Sequence, residues 1–234
     1  MNVMECSNLS KYYGSVSALD SIDLTVESGK IIGLLGPNGS GKTTLIKLAC
    51  RMLVPSEGKI TICGMEPSPE TKSIVSYLPD RNFLPEWMNC TDLIYLYEDF
   101  YRDFDTQRAV EMIRQLNIDH KMPMKKMSKG TKEKLQLIMT MSRRAKLYLL
   151  DEPIAGVDPA ARDYILNTII SNYDEDASII ISTHLIADVE SVLDEAIFLK
   201  EGHIILHDTV DAIREQSGKS LDKHFREVFR CWEN

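Results

Sequence analysis

The sequence predicts an α/β fold: a mostly parallel sheet core, a small antiparallel β-subdomain beside it and an inserted α-helical subdomain. Three observations carry that expectation. Four short apolar runs each end in polar or glycine residues, amphipathic helical patterns fill the gaps, and Gly-punctuated alternating segments stand towards the two ends.

The four runs are "IIGLL" (31–35) into Gly36, "IVSYL" (74–78) into Pro79-Asp80, "LYLL" (147–150) into Asp151-Glu152, and "SIIIS" (178–182) into Thr183-His184. Unbroken apolar runs of this length suit strands buried on both faces, as in a parallel sheet covered by helices. In such sheets ligands gather outside the carboxyl ends of the strands, where all four runs deliver their polar residues.

The remaining elements follow in order. "LDSIDLTVESGKI" and "EGKITICG" alternate and read as hairpin-like strands of the small antiparallel sheet. "TTLIKLACRML" places Leu45, Leu48, Ala49 and Met52 on one helical face that stops before Pro55. "TDLIYLYEDFY" and "TQRAVEMIRQL" read as amphipathic helices, and the block 82–144 around them as an insertion into a single domain spanning 1–234. "AIFLKEGHIILHD" reads as a hairpin turning at Glu201-Gly202, followed by a helix near "TVDAIREQ". The tail "LDKHFREVFRCWEN" puts Leu221, Phe225, Val228 and Phe229 on one face, to pack on the sheet domain or to add a dimer contact.

Composition narrows the function classes. A net charge of −8 argues against broad attachment to nucleic acid or anionic lipid. No stretch approaches the ~20 apolar residues of a membrane-spanning helix. The N-terminal "MNVMECSNLSKYYG" has no apolar core flanked by basic residues and is not a secretory signal, so a membrane role must come through a partner. The cysteines Cys6, Cys50, Cys63, Cys90 and Cys231 form no CxxC pair, which suits reduced thiols in a cytosolic chain.

"GPNGSGKTT" (36–44) fits G-x-x-x-x-G-K-[ST] and lies between a buried strand and a helix, the context the motif requires. Gly36, Gly39 and Gly41 let the backbone curl, so that N–H groups through Asn38, Ser40 and Thr44 face phosphate oxygens at a helix start. Lys42 is placed to bridge β- and γ-phosphates, and the Thr43 hydroxyl to ligate Mg²⁺. Asp151 ends a buried strand, where a carboxylate needs a partner such as that ion. Glu152 follows, placed to polarise an attacking water. His184 ends a fourth run on the same edge. A lone His is often structural, but this position favours a γ-phosphate contact.

Taken together these residues resemble the nucleotide-binding subunit of an ATP-binding-cassette (ABC) transporter, a P-loop NTPase with a RecA-like core. The resemblance runs in family order through "KYYG", "GPNGSGKTT", "YLPD" at the Q-loop position, "MSKGT" at the signature position, "LYLLDEP", "AGVD" and "STH". It implies that Tyr13, with Tyr12 as competitor, stacks on adenine. It further implies that Ser128 and Gly130 contact the γ-phosphate of ATP held by the opposite protomer, and that Asp158 sits at the dimer interface. Asp80 stands where the family usually carries Gln, a Mg²⁺-reaching position. Lys129 and Thr131 depart from the usual Leu-Ser-Gly-Gly-Gln signature, and the Ser-Lys-Gly form resembles bacterial exporters of drugs and peptide antibiotics.

The implied activity is ATP hydrolysis, with ATP and Mg²⁺, in a homo- or heterodimer on separately encoded permease subunits. The implied location is cytoplasmic, peripheral on the inner face of the membrane. Import and a non-transport ABC ATPase stand as alternatives. Phe83, Leu84 and Trp87 in "RNFLPEWMN" either staple the next helix or line a groove for a membrane subunit.

Overall fold

The computed structural model describes residues 1–230 apart from Gly156, Asp158, Tyr173 and Glu175. The chain order is β1 (Asn2–Tyr13), β2 (Val16–Glu27), β3 (Ile31–Leu35), α1 (Lys42–Ala49), β4 (Glu57–Ile62), β5 (Val75–Leu78), α2 (Cys90–Phe100), α3 (Thr106–Gln115) and α4 (Lys129–Met141). It continues through β6 (Leu147–Asp151), α5 (Pro159–Asn172), β7 (Ser178–Thr183), α6 (Ile186–Val189), β8 (Glu195–Lys200), β9 (His203–Thr209), α7 (Val210–Ser217) and α8 (Leu221–Arg230).

Two sheets form. The larger runs β5-β6-β7-β3-β8-β9; its pairings are parallel until β9, which turns back antiparallel on β8. Alternate residues of the central strands enter different apolar clusters, as strands covered on both faces require. Ile31 and Leu35 of β3 join Tyr148 and Leu150 of β6 on one side. Ile32 and Leu34 join Leu147 and Leu149 on the other, with α1 and the smaller sheet. The β8–β9 turn places Glu201 and Gly202 at φ 47° and 82°, the left-handed pair that a two-residue hairpin needs.

The smaller sheet differs from the sequence reading. Its order is β2-β1-β4, so the two alternating segments do not pair with each other; both pair with the first strand, which no alternating pattern announces. The strand hid because its alternation is broken by register shifts around residues 7–10, with Asn8 at φ 45°.

Met52 also departs from expectation. α1 ends at Ala49, Arg51 takes φ 52°, and Met52 turns out to solvent, its N–H bonded back to the Lys47 oxygen.

Three helices, α2 to α4, lie between β5 and β6. α2 opens on a capping box in which Asn89 and Asp92 exchange side-chain-to-backbone bonds. The tail helix packs onto the domain: Leu221 is buried, and Phe225 and Phe229 stack around Phe198 of β8.

Candidate phosphate-binding and hydrolytic site

The carboxyl ends of β3, β5, β6 and β7 converge on one edge of the larger sheet. The 36–41 loop leaves β3 there and feeds α1. Two of its glycines are obligatory. A Cβ on Gly36 would stand 2.3 Å from the Leu199 oxygen. Gly41 takes φ 113°, and a Cβ there would meet the Ala18 oxygen at 2.5 Å. The Ser40 oxygen accepts from the Gly202 N–H at 3.0 Å, which ties the loop to the β8–β9 hairpin. Asn38 and Gly39 are exposed at its tip, and Thr44 is half-buried in the first turn of α1.

Lys42 is buried. Its Nζ donates to the oxygens of Gly36 (2.7 Å) and Pro37 (3.1 Å) and lies 3.6 Å from Glu152 Oε1. Burial lowers its pKa, and the Glu152 carboxylate opposes that shift.

Asp151, fully buried, gathers the Thr43 hydroxyl at 3.2 Å and the Ser182 hydroxyl at 2.5 Å on Oδ1. Its Oδ2 is buried with no hydrogen-bond partner among the described residues. Desolvation raises its pKa, the two hydroxyls oppose the shift, and the charges of Asp80 and Glu152 add to it. A buried acid with one satisfied and one orphaned oxygen, beside a threonine hydroxyl, fits a hard divalent cation.

Glu152 sits at φ 51°, a left-handed conformation that is strained for a side chain of its size and that clusters at functional positions. Its backbone N–H donates to the Ser182 oxygen at 3.0 Å. Its carboxylate meets His184 Nδ1 at 3.1 Å through both oxygens. The geometry therefore brings Lys42, Thr43, Asp151, Glu152 and His184 together.

Asp80 stands apart from that contact set. Its carboxylate is half exposed and faces Arg81 Nε at 3.9 Å, and only its field reaches Asp151. Tyr13 is exposed at the end of β1, with Lys11 Nζ 5.6 Å above its ring; Tyr12 is slightly less exposed. Ser128 caps α4, accepting from the Thr131 N–H at 3.1 Å and meeting the Thr131 hydroxyl at 2.8 Å. Gly130 is helical, and a Cβ there would meet nothing within 4 Å, so no contact among the described residues demands its missing side chain. Asp158 lies outside the described residues.

Two residues escaped the sequence reading. Ser182 looked like the end of an apolar run, yet the register Asp151↔Ser182 makes it the anchor of Asp151. Arg143, 3% exposed, holds Asp103 through Nε and Nη2 at 3.0–3.2 Å. It also donates to the oxygens of Val75 (2.6 Å) and Ser73 (2.8 Å) and lies over the Tyr101 ring.

Arg143 also floors an apolar groove of about 500 Å³ whose walls include Met52, Tyr77, Arg81, Phe83 and Tyr101. Leu84 is buried as an anchor for α2, whereas Trp87 is exposed and lies outside the groove lining.

The family model described as ABC transporter matches residues 19–155. The ABC transporter ATP-binding protein YtrB of Bacillus subtilis is 30% identical over 217 residues, covering 92% of this chain and 74% of the relative. The SkfA peptide export ATP-binding protein SkfE of Bacillus subtilis is 27% identical, covering 93% of each chain. The lipopolysaccharide export system ATP-binding protein LptB of Escherichia coli is 28% identical over 98% of this chain and 97% of that one. A solved ATP binding subunit of an ABC transporter superposes with a TM-score of 0.87 at 29% identity, covering 97% and 99%.

Proposed function

The chain belongs to the ABC transporter family as an ATP-binding ATPase subunit, and from that premise we propose that it drives export of a drug-, peptide- or antibiotic-like substrate through separately encoded permease subunits. The Ser128-Lys129-Gly130 signature and the likeness to SkfE and LptB support export over import.

The observation that carries the hydrolytic reading is Glu152. A carboxylate held in a strained backbone, between Lys42 at 3.6 Å and His184 at 3.1 Å, is poised as a base at the end of a phosphate loop. In this reading Lys42 leaves its loop carbonyls for the β- and γ-phosphates. The N–H groups of the loop from Gly36 to Thr44 hold the phosphate oxygens, and Tyr13 stacks on adenine. Glu152 takes the proton of the attacking water while His184 holds the γ-phosphate and orients Glu152. Thr43 and Asp151 would hold Mg²⁺, with Asp80 reaching it through water. The ion, when bound, supplies positive charge to the phosphate oxygens.

Residues 82–144 act as the helical subdomain of this single domain. Ser128 and Gly130 complete the site of a partner protomer, a homologous or identical chain, and Asp158 lines that interface. The open space around Gly130 supports the assignment, since room is kept for a group from outside this chain. The groove at Phe83 takes a segment of the permease, which would hold the chain at the inner face of the membrane.

The test is turnover and assembly of the purified chain with Mg²⁺ and ATP. Glu152→Gln should lose turnover while retaining ATP and trapping a dimer on size-exclusion chromatography. Unchanged turnover would remove Glu152 from its role.

A further inference from the structure

α4 is buried without a break from Leu135 to Met141, and Gln136, 3% exposed, is one of two polar side chains in that run. The other, Thr140, is satisfied locally: its hydroxyl donates to the Gln136 oxygen at 2.9 Å. Gln136 reaches out of the helix instead. Its Nε2 donates to the Arg81 backbone oxygen at 3.3 Å, in the loop that leaves β5, and its Oε1 is buried with no partner among the described residues. A second bond, from the Ser76 hydroxyl to the Thr140 oxygen at 2.9 Å, joins the same helix to the body of β5. The two links bracket Pro79 and Asp80. A cavity of about 280 Å³ opens there between the loop, α4 and the Glu152-Pro153 turn, with Asp80, Arg81, Gln136 and Glu152 on its walls.

An apolar side chain of similar length would fill this place without bringing an amide oxygen into the buried face of α4, so packing alone does not call for a glutamine here. We propose that Gln136 is a positioning residue for the Asp80 loop. Its amide N–H fixes the loop backbone at Arg81 and thereby sets where the Asp80 carboxylate stands. Its open carbonyl is an acceptor held ready for a loop N–H when the loop shifts towards the phosphate site. α4 then carries, on one rigid element, the cap at Ser128 and the hold on Asp80, so a displacement of one is felt by the other.

The inference rests on the reading of Asp80 as a Mg²⁺-reaching residue, and the test separates the two. Gln136→Met, with Gln136→Leu as a second variant, is compared with Asp80→Asn and with the Gln136→Met/Asp80→Asn double variant. Trypsin cleavage after Arg81, whose side chain is 91% exposed, and thermal melting are measured without nucleotide or metal, and ATP turnover across a Mg²⁺ titration. Gln136→Met is expected to melt no lower than the natural chain. Cleavage at the Arg81–Asn82 bond, followed by mass spectrometry, should run roughly 2- to 10-fold faster, the factor that loss of the one hydrogen bond on the Arg81 carbonyl produces. Its half-saturating Mg²⁺ should rise as in Asp80→Asn, with the double variant no worse than the weaker single one. Unchanged cleavage at this bond in both Gln136 variants overturns the proposal. Faster cleavage with no Mg²⁺ effect from Asp80→Asn supports the hold on the loop and overturns the metal reading of Asp80.

Discussion

Replacing Arg143 by Met should destabilise the chain strongly, because the guanidinium is a buried junction between three parts of the fold. It joins Asp103 in the α2–α3 turn, the backbone leading into β5, and the end of α4. Removing one member of a buried ion pair costs about 3–5 kcal/mol, since the remaining charge and carbonyls lose their donors. Arg143 is almost fully buried, but the Asp103 side chain retains 22% exposure and can recover some hydration, so the lower end applies. A loss of about 3 kcal/mol corresponds to about 6–12 °C in Tm for a chain of this size. Arg143→Lys should fall closer to Met than to Arg, because an ammonium cannot serve the carboxylate and two carbonyls in one plane. Urea unfolding of Arg143→Met, Asp103→Asn and the double variant measures the loss and the coupling. A loss below about 1 kcal/mol, or additivity of the two substitutions, would refute the junction.

Other outcomes follow from the same geometry. Glu195 is buried and meets Lys30 and, at 3.0 Å, His207; burial raises its pKa, but these partners outweigh burial and hold it below the carboxylate value of 4.5. A depressed pKa contributes stability above the unfolded value that is lost as pH falls through the folded one. Glu195→Gln should therefore cost on the order of 1–3 kcal/mol at neutral pH and progressively less below about pH 4.5, read by melting across pH. Gly41→Ala should abolish nucleotide binding in a fluorescence titration, because its φ of 113° and the Ala18 oxygen exclude a Cβ. Phe83→Ala should leave the ATPase rate of the isolated chain within about 2-fold, a truncation at an exposed site being nearly neutral, while abolishing transport in vesicles that carry the permease.

Much of this molecule can be read from local sequence. The runs that became β3, β6 and β7 were legible because burial on both faces leaves an unbroken apolar signature. The phosphate loop was legible because its glycines and lysine are contiguous. What escaped depends on contacts distant in sequence. Ser182 matters only because β6 and β7 bring it to Asp151, and Arg143 only because Asp103 and the start of β5 fold around it. Gln136 follows three charged residues in "KEKLQL", and only the packing of α4 buries it. β1 hid for the opposite reason, since its bulges break an alternation that burial still enforces.

The claim that the site is completed by a second protomer is tested most directly by mixing two inactive variants. Lys42→Ala removes the phosphate grip, and Ser128→Arg blocks the capped start of α4. Each alone should be inactive with Mg²⁺ and ATP. Mixed, they should recover turnover, because one heterodimer site has an intact loop facing an intact Ser128. A mixture as inactive as either variant beside an active natural chain, or full turnover by Ser128→Arg alone, would contradict the two-protomer site.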